Sequence, residues 1–148
     1  MRDKVVEDLR NAASLIDEAV DGLTEEQASA RTMDGWSVKD HLTHLTIWHE
    51  MRFFEISRVG RQGSSLTPNF PDIDAFNDVL GSMRRELPLS QVMGDLDFAR
   101  EMVMRAVADC PEDRLDSQHY LEASPAGGAI HDVEHAEHIR NWRHREGI

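Results

Sequence analysis

The sequence predicts an all-α protein, a four-helix bundle with additional short helices in its connections. Apolar residues recur at steps of three and four over several long stretches, which is the period of an amphipathic helix. No segment shows the sustained two-residue alternation, rich in β-branched residues, that is typical of a strand. Four long amphipathic helices in a chain of 148 residues most simply make one bundle, so residues 1–148 are predicted to form a single domain.

The first helix is predicted from Arg2 to Asp21, where the apolar residues form one stripe. Gly22 ends it, since glycine readily adopts the backbone conformation that follows a helix. Thr24 and Gln27 then have the spacing of a capping box, in which each side chain hydrogen-bonds the other residue's backbone amide. A single short turn of helix is therefore expected there.

The second helix has a stronger start signal. Ser37 can cap the amide of Asp40, whose carboxylate can return the hydrogen bond. The helix is predicted to run to about Arg58 and to be ended by Gly60 and Gly63, in a stretch to residue 71 that is loop by composition. A wide arc of this helix is apolar, so it is expected to be buried on more than one side.

Two further helices are predicted in the second half of the chain. Asp72 or Asp74 can cap the first of them, which ends near Leu87 because the proline that follows disfavours helical geometry in the residue before it. Ser90 can cap the second, whose apolar period continues to about Ala108.

The approach to the last helix is predicted to be irregular. Cys110–Asp113 breaks the preceding helix, and residues 114–128 show no clean period. Ser124–Gly128 is predicted to be a turn that leads into the last helix. On that helix Val133 lies opposite the histidines, which indicates either a further packing surface or the contact of a homodimer.

The composition limits the classes of partner and the compartment. A formal net charge of −12 would repel a nucleic acid, whose binders neutralise phosphates with lysine and arginine. The single cysteine, Cys110, excludes an internal disulfide and favours a reducing compartment such as the cytoplasm. The chain lacks the apolar run of a signal peptide and the roughly 20 apolar residues of a membrane span. We therefore expect a cytoplasmic protein without nucleic-acid or membrane partners.

Two groups of histidines lie on helices that are predicted to be buried. In the last helix His131, His135 and His138 fall within one arc, which they share with apolar residues. The second helix carries His41 and His44. Facing helices of a bundle are where metal sites are built, but buried histidines can also be satisfied by hydrogen bonds alone. From the residues alone, both interpretations stay open.

The string His131–His135 also matches the H-x-x-E-H pattern of one class of zinc protease. Glu134 would be the general base of such a site. At helical spacing, however, it projects roughly 60–100° away from the two histidines. The match is therefore interpreted as a coincidence, with Glu134 on a solvated face and Asp132 also pointing away from the histidines.

Three blocks of the sequence together resemble a known family. They are Gly35–Leu45 followed by Trp48, Asp74–Asn77, and His131–Trp142. They resemble the DinB-like (DinB/YfiT) metal-binding four-helix bundles, in particular the branch that contains the ClbS/DfsB-type proteins. The resemblance covers nearly the whole chain. Its first block is fairly specific, and its last block is specific mainly in combination with the first.

The resemblance implies a three-histidine metal site. Matched motif to motif, the ligands are His44, His131 and His135, and the divalent metal is nickel or zinc. His41 and His138 stay outside this set. His41 falls where Trp36 could pack on the second helix, so it is expected to pack against the ligands or to support them. His138 shares the inward arc and is expected to line the pocket or to replace a ligand.

The wall of the pocket is less well defined by the sequence. Trp48, one turn after the histidine of the second helix, is either a pocket wall or ordinary core. Relatives often have an aromatic residue after the first histidine of the last helix, where this chain has Asp132. The two glycines Gly127 and Gly128 also make the approach to that helix unusually loose.

The implied chemistry is that of an open metal site. Three neutral imidazoles leave positions on the ion for water or a thiol. The resemblance further implies thiol transfer, isomerisation, or hydrolysis or sequestration of reactive small molecules. We therefore expect a metal-dependent enzyme of the hydrolase or thiol S-transferase type that acts on a small organic or electrophilic substrate, in detoxification. The alternative is a non-catalytic protein that binds or sequesters a small molecule in the same bundle.

Overall fold

The computed structural model describes residues 2–63, 72–115 and 125–148, and within these ranges the chain is an all-α bundle. Its helices are α1 (Arg2–Val20), α2 (Glu25–Ser29), α3 (Val38–Gln62), α4 (Ile73–Ser82), α5 (Leu89–Asp109), α6 (Glu112–Leu115) and α7 (Pro125–Glu146). In the same ranges, β structure is limited to an isolated bridge between Met33 and Trp36. The predicted fold class is confirmed. Among the described helices, none has the length and apolar character needed to span a membrane.

The four long helices α1, α3, α5 and α7 build the bundle. α3 packs mainly against α5, and α1 packs mainly against α7. Contacts of α3 with α7 and of α1 with α5 join these two pairs. The short helices α2, α4 and α6 lie in the connections, and each contacts α3.

A layer of buried polar side chains divides the apolar core into two clusters. One cluster includes Trp142 and the other includes Ile56. Along α3, α5 and α7 the sequence passes from one cluster, through a buried polar residue, to the other. These polar residues are His49, Arg100 and Asp132. The apolar stripes therefore do not form one continuous core.

Val133 of α7 is half-buried and packs against the cluster that includes Ile56. Its position opposite the histidines therefore serves packing within the bundle. The homodimer stays a prediction.

The capping box predicted at the start of α3 is present. The amide of Asp40 donates to Ser37 Oγ at 3.0 Å, and the amide of Ser37 donates to Asp40 Oδ2 at 2.9 Å. Both residues are buried, and Asp40 also accepts a hydrogen bond from Arg85 Nε at 3.0 Å. The box satisfies amides at the helix start and connects that start to the segment between α4 and α5.

Replacing Ser37 with alanine is expected to lower the free energy of unfolding by about 1–2 kcal/mol. The loss should be at the upper end of the usual range, because the cap is buried and water cannot readily replace the hydroxyl. Urea denaturation measures the effect. Thr24→Ala is a matched control, since Thr24 forms the same motif at the exposed start of the short helix α2. A larger loss for Thr24→Ala would contradict the role assigned to burial.

The predicted end of α3 near Arg58 was wrong. The helix continues through Gly60, where an added Cβ would lie 3.6 Å from the Cα and Sγ of Cys110. These distances are ordinary van der Waals contacts, so Gly60 lies directly against the end of α5. Gly63 is the C-cap, with a φ of 68°, as predicted for a glycine that ends a helix. The rest of the predicted loop, residues 64–71, lies outside the described residues.

α4 is shorter than predicted. Asp72, one of the two predicted caps, accepts a hydrogen bond from the amide of Ala75 at 2.9 Å, and Asp74 lies within the helix. The helix ends at Ser82 rather than near Leu87, and turns fill the interval before α5. The proline after Leu87 is therefore not what ends this helix.

The predicted cap of α5 at Ser90 was also wrong. The N-cap is Pro88, which offers no side-chain hydrogen bond, and Ser90 lies within the first turn. Instead, the amide of Leu89 donates to Glu25 Oε2 at 2.8 Å. A side chain from another helix thus satisfies an amide at the start of α5.

Two helices occupy segments that were predicted to be irregular. α6 follows the break at Cys110, and α7 begins at Pro125, within the predicted turn. Proline is tolerated in the first turn of a helix because its missing amide hydrogen would have no intrahelical partner there. Residues 116–124, including the predicted turn residue Ser124, lie outside the described part of the chain.

Candidate metal centre

Histidines of α3 and α7 meet where these two helices pack against each other. His44 Nε2 lies 3.0 Å from His131 Nε2, and His131 Nε2 lies 3.1 Å from His135 Nε2. The three residues each offer one nitrogen, and these nitrogens all lie within 4.8 Å of one another. The structure thus brings together the three residues that the sequence resemblance indicated as ligands.

The distances suit a cation better than a closed network of hydrogen bonds. One ring nitrogen carries either a proton or a lone pair, so it can satisfy one hydrogen-bonding neighbour but not two. His131 Nε2 has two such neighbours, the Nε2 atoms of His44 and His135. Nitrogens bound about 2.0–2.1 Å from one ion, at tetrahedral or octahedral angles, lie roughly 2.9–3.4 Å apart. Both observed distances fall in that range.

The electrostatic environment keeps these imidazoles neutral. Burial is the main cause that lowers the pKa of His41 and of His44 to about 4 and that of His131 to about 3. The pKa of His135 is lowered as well, by burial and then by the neighbouring His41 and His131. Neutral imidazole is the form that binds metal ions, so no proton has to be displaced at neutral pH.

His41 contacts the cluster from the other side of His135. The Nδ1 atoms of the two rings are 2.6 Å apart, which is a short hydrogen bond. If His135 presents the lone pair of Nε2 to a metal, its Nδ1 must carry the proton and donate it to His41 Nδ1. That bond would fix the orientation of the His135 ring, which is the usual role of a residue that supports a metal ligand.

Trp36 covers the histidines and is held by a tight turn. Asp34 and Gly35 have φ values of 52° and 87°, and the backbones of Met33 and Trp36 exchange hydrogen bonds across them. The centre of the indole lies 5.0 Å from the centre of the His41 ring. Glycine suits this turn because a positive φ costs it little.

Trp36 also packs against two of the predicted metal ligands. Its ring centre lies 5.3 Å from that of His44 and 6.5 Å from that of His135. The sequence had placed this tryptophan only against His41. In the structure it also forms an apolar wall of the cluster.

An open cleft of about 370 Å³ lies beside His135. His41 and the exposed His138 both contribute to its lining. With His135 they form a second histidine group whose nitrogens lie within 4.8 Å of one another. The lining residues are Met33, Asp34, Trp36, His41, His135, His138, Asn141 and Arg145.

Trp48 lies against the ligand cluster and is not among the described residues that line the cleft. Its ring centre is 6.1 Å from that of His44 and 6.4 Å from that of His131. The indole is half-buried. Its place in the structure is therefore next to the two predicted ligands, one turn after the first of them.

Asp132 joins α7 to two other helices through the buried polar layer. Its Oδ1 accepts a hydrogen bond from His49 Nε2 at 2.8 Å, and its Oδ2 accepts one from Arg100 Nε at 3.1 Å. Burial alone would raise the pKa of Asp132, but the hydrogen bond from His49 and the charge of Arg100 hold it below its usual value. The carboxylate is therefore charged at neutral pH, and it points away from the histidine cluster into the core.

Sequence reasoning did not anticipate this buried layer. The sequence held one signal of it. His49, Arg100 and Asp132 each lie on a buried helix face, between apolar residues of the two core clusters, where the helical period predicts another apolar residue. A charged group at such a position requires a buried partner. Glu134 is exposed, in agreement with its predicted solvated position.

The metal-free protein is expected to lose stability as the pH falls from about 6.5 towards 4. The buried histidines have folded pKa values of about 4 or lower, whereas the reference value is 6.5. Between these values the unfolded state binds more protons, so the free energy of unfolding rises with pH. The contribution is fully present above pH 6.5, falls as the histidines of the unfolded state take up protons, and is lost once the pH passes through the folded-state pKa values of about 4 and lower.

Urea denaturation of the metal-free protein between pH 4.5 and 7.5, roughly the window of ordinary histidine titration, measures this effect. His144→Gln is a suitable control, because His144 is exposed on α7, away from the cluster. That variant should retain the pH dependence of the original chain. A midpoint that does not change with pH in the original chain would show that the cluster is not neutral when folded.

Comparison with known proteins found one family. The model of the DinB superfamily matches residues 8–143. Comparison with curated proteins and with solved structures found no match. The matched range includes all of α2 to α6, most of α1 and α7, and every histidine of the cluster.

Proposed function

Because this chain belongs to the DinB superfamily, we propose that it is a metal-dependent enzyme that acts on a small organic or electrophilic substrate. The reaction would be of the hydrolase or thiol S-transferase type, in detoxification. The ligands would be His44, His131 and His135, and the metal would be nickel or zinc. One observation carries the proposal: His131 Nε2 has two histidine nitrogens at 3.0 and 3.1 Å, which one hydrogen bond cannot explain.

The ion would supply a centre that makes water or a thiol nucleophilic at neutral pH. Three protein ligands are typical of catalytic rather than structural sites, since they leave a position for a substrate. Burial keeps the three imidazoles neutral and able to bind. The formal net charge of −12 argues against a nucleic acid as the substrate.

The other residues of the site would orient the metal ligands and enclose the bound ion. His41 would hold the His135 ring through the 2.6 Å bond between their Nδ1 atoms. Trp36 would exclude water from one side of His44, because its indole packs across the ring. The cleft of about 370 Å³ beside His135 is within the usual size range of small-molecule sites.

Elemental analysis of the untagged protein tests the proposal. We expect about one divalent ion per chain after purification or after reconstitution with zinc or nickel. The loaded protein should then accelerate hydrolysis or thiol transfer on a panel of electrophilic compounds, and chelation should abolish the activity. Absence of stoichiometric metal after reconstitution would rule out the proposed function. Ligand binding that persists after chelation would instead indicate the alternative, a non-catalytic binding or sequestration protein.

A further inference from the structure

Arg52 of α3 is a buried cation, two of whose donor atoms have no hydrogen-bond partner among the described residues. Its side chain is 7% exposed, and its Nε and Nη1 donate to no acceptor in the described part of the chain. Buried arginines are almost always paired, because an unpaired charge in the core costs several kcal/mol. A stable protein that keeps such a residue retains two strong hydrogen-bond donors inside its core.

The carboxylate that most affects Arg52 is already engaged. Asp132 accepts hydrogen bonds from His49 and from Arg100, one on each oxygen. No ion pair between Asp132 and Arg52 falls within 4.0 Å in the described residues. Asp132 therefore reduces the cost of the buried charge of Arg52 at longer range, but Nε and Nη1 of Arg52 stay without an acceptor in the described ranges.

The pairing of α3 with α7 places Arg52 next to the histidine cluster. The two helices run in opposite directions, since His44 meets His131 while Arg52 packs on Gly128, earlier in α7. A Cβ at Gly128 would lie 3.3 Å from Arg52 Cδ. Gly128 precedes His131 by three residues, about 4.5 Å along the helix axis. The glycine that loosened the predicted approach to α7 thus makes room for the arginine.

Arg52 lies about two helical turns after His44 on α3. Its side chain packs on Gly128, which precedes His131 on α7 by less than one turn. A ligand whose reactive atom reaches the histidines could extend an anionic group to the arginine.

We propose that Arg52 binds the carboxylate, or an equivalent anionic group, of the small molecule that reacts at the histidine cluster. This inference rests on the proposed function and narrows its substrate class to molecules that carry an anionic group as well as the reactive atom. Hydrogen bonds from a guanidinium to a carboxylate are charge-assisted, so the contact would give both affinity and orientation.

Thiol ligands that differ in charge test the inference on the full chain loaded with cobalt(II) or zinc. The charged probe is 3-mercaptopropionate and the neutral probe is 2-mercaptoethanol. We expect the original chain to bind the charged thiol at least about 10-fold more tightly, as measured by calorimetry or by the cobalt absorption spectrum. Arg52→Met should lose this preference and still bind 2-mercaptoethanol. Arg61→Met, the same change at an exposed position of α3, should behave like the original chain.

A second measurement does not need the metal. Propionate should raise the melting temperature of the metal-free original chain, relative to propionamide at equal ionic strength, and should not do so for Arg52→Met. Equal binding of the two thiols together with no response to propionate would overturn the role of Arg52, whereas the proposed function would stand if metal is bound. Loss of metal with a retained propionate response would overturn the proposed function instead.

The stability of Arg52→Met separates a binding role from a structural one. Removing an unpaired buried charge should leave the melting temperature of the metal-free protein unchanged or raise it. A fall of more than about 4 °C would show that the arginine is needed for the fold. That outcome, together with an unchanged preference between the two thiols, would overturn the inference.

Discussion

Replacing His44, His131 or His135 with alanine is expected to abolish stoichiometric binding of zinc or nickel, while the bundle remains folded. Each substitution removes one of three nitrogens that lie within 4.8 Å of one another, and two imidazoles hold an ion far less tightly than three. Substitution of residues that only support ligands typically costs about 10–100-fold in affinity, so loss of a ligand should cost more than about 100-fold. Competition with a chromophoric chelator measures the affinity, and circular dichroism checks the fold.

Variants at other histidines test whether the ion binds to the group of His44, His131 and His135 or to the group of His41, His135 and His138. His144→Ala should bind metal like the original chain, since that residue is exposed and distant from the cluster. His41→Phe should weaken binding but not abolish it, because it removes only the bond to His135. Abolition by substitution of His41 and His138, with His44→Ala harmless, would place the ion in the second histidine group beside the cleft.

Replacing Asp132 with alanine is expected to lower the free energy of unfolding by about 3–5 kcal/mol. The substitution removes the acceptor of His49 and of Arg100, and both of these donors are buried. Arg52 would also lose the carboxylate that offsets its charge. The loss comes from leaving buried polar groups without partners rather than from a cavity. Urea or guanidinium denaturation of the metal-free protein measures it.

Glu134→Ala is the matched control for this prediction, because it removes a carboxylate from an exposed position of the same helix. Its effect should stay within about 0.5 kcal/mol. Combining Asp132→Ala with Arg100→Met should cost less than the sum of the two single changes, since the second change removes the buried Nε donor that the first leaves without its acceptor. Additive losses, or a loss below about 1 kcal/mol for Asp132→Ala, would show that the residues of the buried polar layer do not stabilise one another.

The helices could be predicted because their signals are local. The apolar period of α1, α3 and α5 repeats within each segment, and the capping box of Ser37 and Asp40 spans only four residues. The errors occur where glycine and proline were given too much weight as residues that end or exclude a helix. Gly60 stays helical within α3, and Pro125 and Gly128 lie in α7 where composition had predicted a turn.

The candidate site was only partly accessible from sequence. Spacing placed His131 and His135 on one face of one helix, but their convergence with His44 came from the family resemblance. The hydrogen bond between His41 and His135 joins residues 94 positions apart, and no periodicity within one helix specifies such a partner. The contacts of Trp36 with His44 and His135 likewise depend on how α3 and α7 pack against each other.

By itself, the sequence determined the fold class, the start of α3 and the arcs on which the histidines lie, since each depends on interactions within a few residues. The tertiary structure alone decided which nitrogens meet and how the core is divided. Asp132 pairs with His49 across 83 positions and with Arg100 across 32, and Arg52 packs on Gly128 of another helix. Burial and partners of charged groups follow from how helices pack against one another, which no segment encodes alone.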